Sequence, residues 1–210
     1  GVVTTGVVTE TLEHRSADNS LIDRQVIVTS ADRRTVTTTI DLDGDGSTDR
    51  SSVSTLLGDG SVATTTDLYS MGGVLEAHQT RSVSADGLTR DASVDRNADG
   101  RIDLQSREVT VLGSDGTVSR MVAYHNGSNV LVAAADIITS DDGLQQTTKL
   151  DIDGDCLFEA RGETVTTLNS DGCTTTVQQS FDEVSDLLAT ITTVQSGDGL
   201  ITTKTTDYAN

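Results

Sequence analysis

A unit of about 56 residues repeats along this chain, so any fold it adopts has to be assembled from copies of one small set of elements. Asp59, Asp115 and Asp171 are evenly spaced, each followed by glycine, and the same interval separates Asp86, Asp142 and Asp198 and the leucines Leu75, Leu131 and Leu187. Gly6, Leu21 and Asp32 hold matching phases upstream. Each complete copy also carries an acidic loop, at 41–49 (DLDGDGSTD), 95–103 (DRNADGRID) and 151–159 (DIDGDCLFE). The first interval between loops is slightly the shorter, because Asp49 lies closer to Asp59 than Asp103 does to Asp115 or Glu159 to Asp171. Independent landmarks that agree on one period are the signature of a repeat array. The expected division is a partial repeat over 1–31, repeats over 32–85, 86–141 and 142–197, and the start of another over 198–210. With the chain opening in mid-repeat and closing where a fourth acidic loop is due, the expectation is a piece of a longer array.

Between turn signals the chain alternates Thr, Val and Ile with a period of two, at 26–30, 35–40, 108–112, 163–168, 187–194 and 201–206, and helical periodicity is absent. Asp-Gly pairs supply the positive φ of tight turns, so their aspartates read as turn residues. Each unit then holds four strand segments, about fifteen in the whole chain at ordinary strand lengths. The expected fold is all-β, an elongated antiparallel β-rod of tandem repeats with about four strands each. The alternative is a β-solenoid in which each segment of roughly 14 residues makes one coil. A propeller blade per repeat fits less well, because fewer than four blades do not close a ring.

Composition narrows the interior. Aromatics are 2% and hydrophobic residues 34%, there is no Trp, and 34 residues are Thr, which leaves little large apolar volume for a thick core. A net charge of −19 with low hydrophobicity is also a mark of disorder, but sustained Thr/Val alternation between regular turns is not. Three divalent ions would bring −19 to −13, so metal is expected to help the chain fold. The same charge argues against nucleic acid or anionic membrane as a partner, and no apolar stretch is long enough to span a bilayer as a helix.

The acidic loops carry the chemistry. Calcium takes six to eight hard oxygens, and alternating acids on a tight loop aim several carboxylates at one centre. The expected ligands are Asp41, Asp43, Asp45 and Asp49 with the Ser47 carbonyl; Asp95, Asn97, Asp99 and Asp103 with the Arg101 carbonyl; and Asp151, Asp153, Asp155 and Glu159 with the Leu157 carbonyl. These are not EF-hands, since position twelve is Ser52, Ser106 or Gly162 instead of a glutamate and the flanks are strand-like. The competing reading is a solvated Asp/Gly-rich hairpin turn with no ion. The first loop is expected to bind tightest, because the second has one carboxylate fewer and the third carries Cys156 where the others have Gly46 and Gly100.

Cys156 and Cys173 belong to one repeat. In an oxidising compartment a disulfide between them is expected over two small buried thiols. A flat meander would hold them at opposite ends of a strand of roughly 30 Å, beyond disulfide reach, whereas a solenoid would set them about one coil apart, so a bridge would argue for the coil. His14, His78 and His125 occupy different phases, and His125 takes the place of Tyr69 and Phe181, as a packed ring would. No nucleophile triad, zinc motif or phosphate loop is present, so a non-enzyme is expected. Asn126-Gly127-Ser128 matches a glycosylation sequon.

The stretches SADGLTRDASVDRNADGRID and TVTTLNSDGCTTTV resemble the tandem repeats of very large secreted bacterial calcium-binding proteins, adhesin-like or RTX-associated, along essentially the whole chain. The RTX nonapeptide GGxGxDxxx is absent, so the calcium roll is not implied. The acidic loops resemble those of thrombospondin type 3 and dockerin modules. The resemblance implies an extracellular or cell-surface stalk, filament or matrix segment whose loops take Ca2+, with self-association or surface contacts as its partnerships. The alternative function is a calcium-dependent carbohydrate- or protein-binding module, with a glycan as ligand.

Overall fold

The computed structural model describes residues 6–209, and all of its regular structure is β. Fifteen strands follow one another: β1 Val8–Arg15, β2 Leu21–Thr29, β3 Thr35–Asp41, β4 Arg50–Leu56, β5 Val62–Tyr69, β6 Leu75–Val83, β7 Thr89–Asp95, β8 Leu104–Leu112, β9 Val118–Asn126, β10 Leu131–Thr139, β11 Gln145–Asp151, β12 Ala160–Leu168, β13 Thr174–Phe181, β14 Leu187–Gln195 and β15 Thr202–Tyr208. The chain forms two compact units, residues 1–106 and 107–210, with the change falling inside β8.

Within the first unit β1 to β7 pair in chain order, every pair antiparallel. Within the second, β9 to β14 pair to their successors in the same way, up to β15. Each unit is therefore an open meander of hairpins. A solenoid coil would set its strands parallel, whereas every pairing among these described residues is antiparallel, as in a meander. The shortening of the first repeat falls in β4, which has 7 residues where β8 and β12 have 9. An even-numbered deletion preserves which face each side chain occupies, so the repeat pattern survives it.

The turns use the residues expected of them. Gly60, Gly87, Gly116, Gly143, Gly172 and Gly199, each following its aspartate, all take positive φ. The aspartates bind the turn they sit in: Ser30 Oγ donates to Asp32, Ser61 N to Asp59, Leu88 N to Asp86 and Thr117 N to Asp115. Hydrogen bonds from neighbouring hydroxyls, reinforced by backbone N–H groups, hold the carboxyls of Asp32, Asp59, Asp86, Asp115, Asp142 and Asp198 below their ordinary range. Asn126 is also a turn residue, its Oδ1 accepting from Ser128 N and Val130 N.

No hydrophobic side chain among the described residues is buried. The accessible surface is 13459 Å², against roughly 11,200 Å² for two separate compact globules of half this mass; within each unit no second layer covers the sheet. Cohesion comes from backbone ladders and from cross-strand hydroxyl pairs, including Ser52 with Thr66 at 3.2 Å, Thr80 with Ser93 at 2.7 Å and Thr166 with Thr176 at 3.3 Å. This accounts for the threonine content: a β-branched side chain suits an extended backbone, and its hydroxyl can bond across to the next strand without needing an apolar interior.

Candidate metal centres

The buried side chains among the described residues are carboxylates. Asp41, Asp95 and Asp151, the leading residues of the three acidic loops, are 3%, 6% and 2% exposed, and no other described residue is as buried. Each ends the strand before its loop and is fixed by loop N–H groups. Asp41 accepts from Gly44 at 2.7 Å and Gly46 at 3.0 Å, and Asp151 accepts from Gly154 at 2.6 Å and Cys156 at 3.0 Å. Asp95 accepts from Gly100 at 2.8 Å and Asn97 at 3.3 Å. Burial pushes the Asp95 carboxyl up, but the N–H groups of Gly100, Asn97, Asp99 and Ala98 together outweigh it and hold the group below its ordinary range.

The later acids build the loops by successive side-chain turns. Asp43 accepts from Asp45 N and Asp45 from Ser47 N; Asn97 from Asp99 N and Asp99 from Arg101 N; Asp153 from Asp155 N and Asp155 from Leu157 N. The ninth residue reaches back to close each loop, Asp49 accepting from Leu42 N, Asp103 from Arg96 N and Glu159 from Ile152 N. The N–H groups of Ser47, Arg101 and Leu157 are thereby held, and their carbonyls are assigned to an ion by loop position alone.

The three loops do not converge equally. In the third, one oxygen each from Asp151, Asp153, Asp155 and Glu159 lie within 4.8 Å of one another; in the first, Asp41, Asp43 and Asp45 do so. Oxygens bound to one calcium at about 2.4 Å lie at most about 5 Å apart, so both clusters could hold an ion of that size. Asp49 falls outside the first cluster while Glu159 joins the third, and the additional methylene of glutamate lets it close the loop and still reach inward. Among the described residues, Asp95, Asp99 and Asp103 form no such cluster. Asn97 stands among them instead, its amide Nδ2 donating to Asp99 at 3.3 Å.

The second loop lacks the third-position carboxylate, Asn97 standing where the others have Asp43 and Asp153, and it differs at position four as well. Gly44 and Gly154 have φ of +74° and +82°, and a Cβ on either would lie 2.2 Å from the carbonyl oxygen of Leu21 or Leu131. The recurring leucine that opens β2 and β10 is thus where the loop rests its backbone. The second loop has Ala98 at this place, with φ 55°. Asp95 there takes a 3.3 Å bond from Asn97, where Asp41 and Asp151 take bonds of 2.7 and 2.6 Å from Gly44 and Gly154. The signal, Gly-Ala-Gly at position four, was legible in the sequence. Cys156, by contrast, adopts φ 70° and still donates its N–H to Asp151, so its place in the loop is preserved.

The strand before each loop sets a further difference. Directly across the ladder from Asp41, Asp95 and Asp151 stand Arg24, His78 and Ala134. Arg24 Nη2 lies 3.9 Å from Asp41 Oδ2 and donates to the Gly46 carbonyl at 3.5 Å. His78 instead bonds Asp67 at 2.6 Å, and nothing cationic faces Asp151 from this position. Cys156 and Cys173 are both free, one in the β11–β12 loop and one in the β12–β13 turn, separated by the length of β12. No family model matches this chain, and no curated protein matches it.

Proposed function

We propose that this chain is a calcium-stabilised, non-catalytic structural repeat that serves as an extracellular or cell-surface stalk, filament or matrix segment, with Ca2+ held in its first and third acidic loops. The observation that carries the reading is an inversion of the usual interior: the sheets bury no apolar side chain, and what they do bury is the leading carboxylate of every loop. Two of those carboxylates are gathered with others at a separation suited to one hard cation. Carboxylate oxygens favour a hard ion, and calcium tolerates the irregular, partly hydrated shell that such a loop provides better than magnesium does. Bound metal would screen the mutual repulsion of the acids and stabilise the folded form by its preference for it.

The reading is tested by calcium titration followed calorimetrically, with thermal unfolding and small-angle scattering in calcium and in chelator. Two sites, a higher melting temperature with calcium and a looser particle in chelator are expected. Identical melting and scattering in both conditions would refute it.

A further inference from the structure

The first unit holds an open cleft of about 840 Å³ between the first acidic loop, the start of β4 and the β5–β6 turn, a volume within the range typical of small-ligand sites. Leu42, Tyr69 and Met71 give it an apolar wall, and Arg50 with Asp43, Asp49 and Glu76 brings charge of both signs. Tyr69 ends β5 at a register shift, and its N–H donates to the Asp49 carbonyl at 2.8 Å, which ties that end of β5 to the acidic loop. Irregularities of this kind re-aim a side chain at the edge of regular pairing.

The cleft is not a by-product of the repeat. Arg50 is replaced by Leu104 and Ala160 at the same phase, Glu76 by Val132 and Leu188, and Met71 by Gly127 and Glu183. A residue the architecture needs would recur with the architecture; these polar hooks do not.

We propose that this cleft binds a neutral saccharide. A sugar ring offers apolar C–H faces to an aromatic and aliphatic wall, and hydroxyls that both donate and accept. Arg50 has only donors to offer and the carboxylates of Glu76 and Asp43 only acceptors, so a polyhydroxyl ligand satisfies both kinds. An anion would meet the three carboxylates of Asp43, Asp49 and Glu76 and a chain of net charge −19, and an organic cation would compete with the ion at Asp43 while lying against the Arg50 guanidinium. The proposal goes beyond the calcium reading, because Arg50, Glu76 and Tyr69 belong to no acidic loop.

The test is retention of the whole chain on a panel of immobilised neutral and acidic oligosaccharides, run in calcium and in chelator, with calcium binding measured separately by calorimetry. Retention on neutral oligosaccharides is expected, weakened roughly tenfold by Tyr69→Ala and also weakened by Glu76→Ala, whose side chain is exposed and carries no part of the sheet. Phe181→Ala, at the same phase in the third repeat, should leave retention intact. Retention in calcium alone would still support the site, with the ion near Asp43 assisting. No retention in either condition overturns the proposal even if calorimetry finds calcium bound. So would equal loss in Phe181→Ala and Tyr69→Ala, or capture of a lysine-rich peptide while the saccharides are ignored.

Discussion

Gly154→Ala isolates the role of the fourth loop position. The substitution places a methyl carbon 2.2 Å from the Leu131 carbonyl oxygen, 2.5 Å from its carbon and 2.8 Å from Val132 Cα. These atoms are backbone at the start of β10, where Leu131 pairs with His125 of β9 and Val132 lies at a register shift, so the clash falls on main chain and not on a flexible side chain. Clearing the contact to beyond 3 Å moves the loop by about 1 Å, and the left-handed backbone at φ +82° adds about 1–2 kcal/mol for any residue with a Cβ. Such a shift is large against the 2.6 Å bond from Gly154 N to Asp151 and against a cluster whose oxygens span 4.8 Å. The third loop should then lose calcium affinity at least tenfold, since a factor of ten corresponds to only about 1.4 kcal/mol. Calorimetric titration of the variant beside the parent measures this, with circular dichroism confirming that strand content is unchanged. The reciprocal Ala98→Gly should strengthen binding in the second loop. If Gly154→Ala binds calcium with the parental affinity and stoichiometry, the close approach to Leu131 does not govern the site.

Two further outcomes follow from the same geometry. Arg24→Ala removes the cation beside Asp41; at 3.9 Å with a partly exposed guanidinium the interaction is worth about 1 kcal/mol, so calcium affinity of the first loop should rise severalfold, and a fall would contradict the assignment. In acid, the turn aspartates should loosen the sheets. Hydroxyl and backbone bonds from Ser16 and Ser20 lower the Asp18 carboxyl from 3.8 to about 2, and the other turn aspartates shift in the same direction. A folded-state value below the unfolded one contributes stability that is complete above pH 4 and lost as pH falls toward 2, so melting temperature in chelator should drop across that window. A melting temperature flat between pH 5 and 2 would show that these turns do not contribute.

The geometry also alters the expected order of the sites. Counting carboxylates and glycines places the first loop ahead. Convergence of four acids, the glutamate at Glu159 and the absence of an opposing cation at Ala134 favour the third. Cys156, which was expected to strain that loop, keeps the backbone bond that Gly46 makes in the first.

Much of this protein was determined by sequence because its decisive interactions are local. Alternation of Thr and Val fixes an extended backbone, Asp-Gly fixes each turn from its own neighbours, and the phase of the repeat places fifteen strands. None of that needs knowledge of distant residues. Tertiary structure decided what depends on partners across the ladder. Side-chain alternation is the same in a meander and in a coil, and only the antiparallel pairing of successive strands separates them. The order of acids in a loop does not reveal that its backbone rests against a leucine carbonyl one hairpin upstream, at Leu21 for Gly44 and Leu131 for Gly154. Nor does the sequence reveal that an aspartate can be the most buried side chain in a sheet without a core: burial is set by the loop that folds over it, and that loop closes only when backbone and carboxylates are brought together in space.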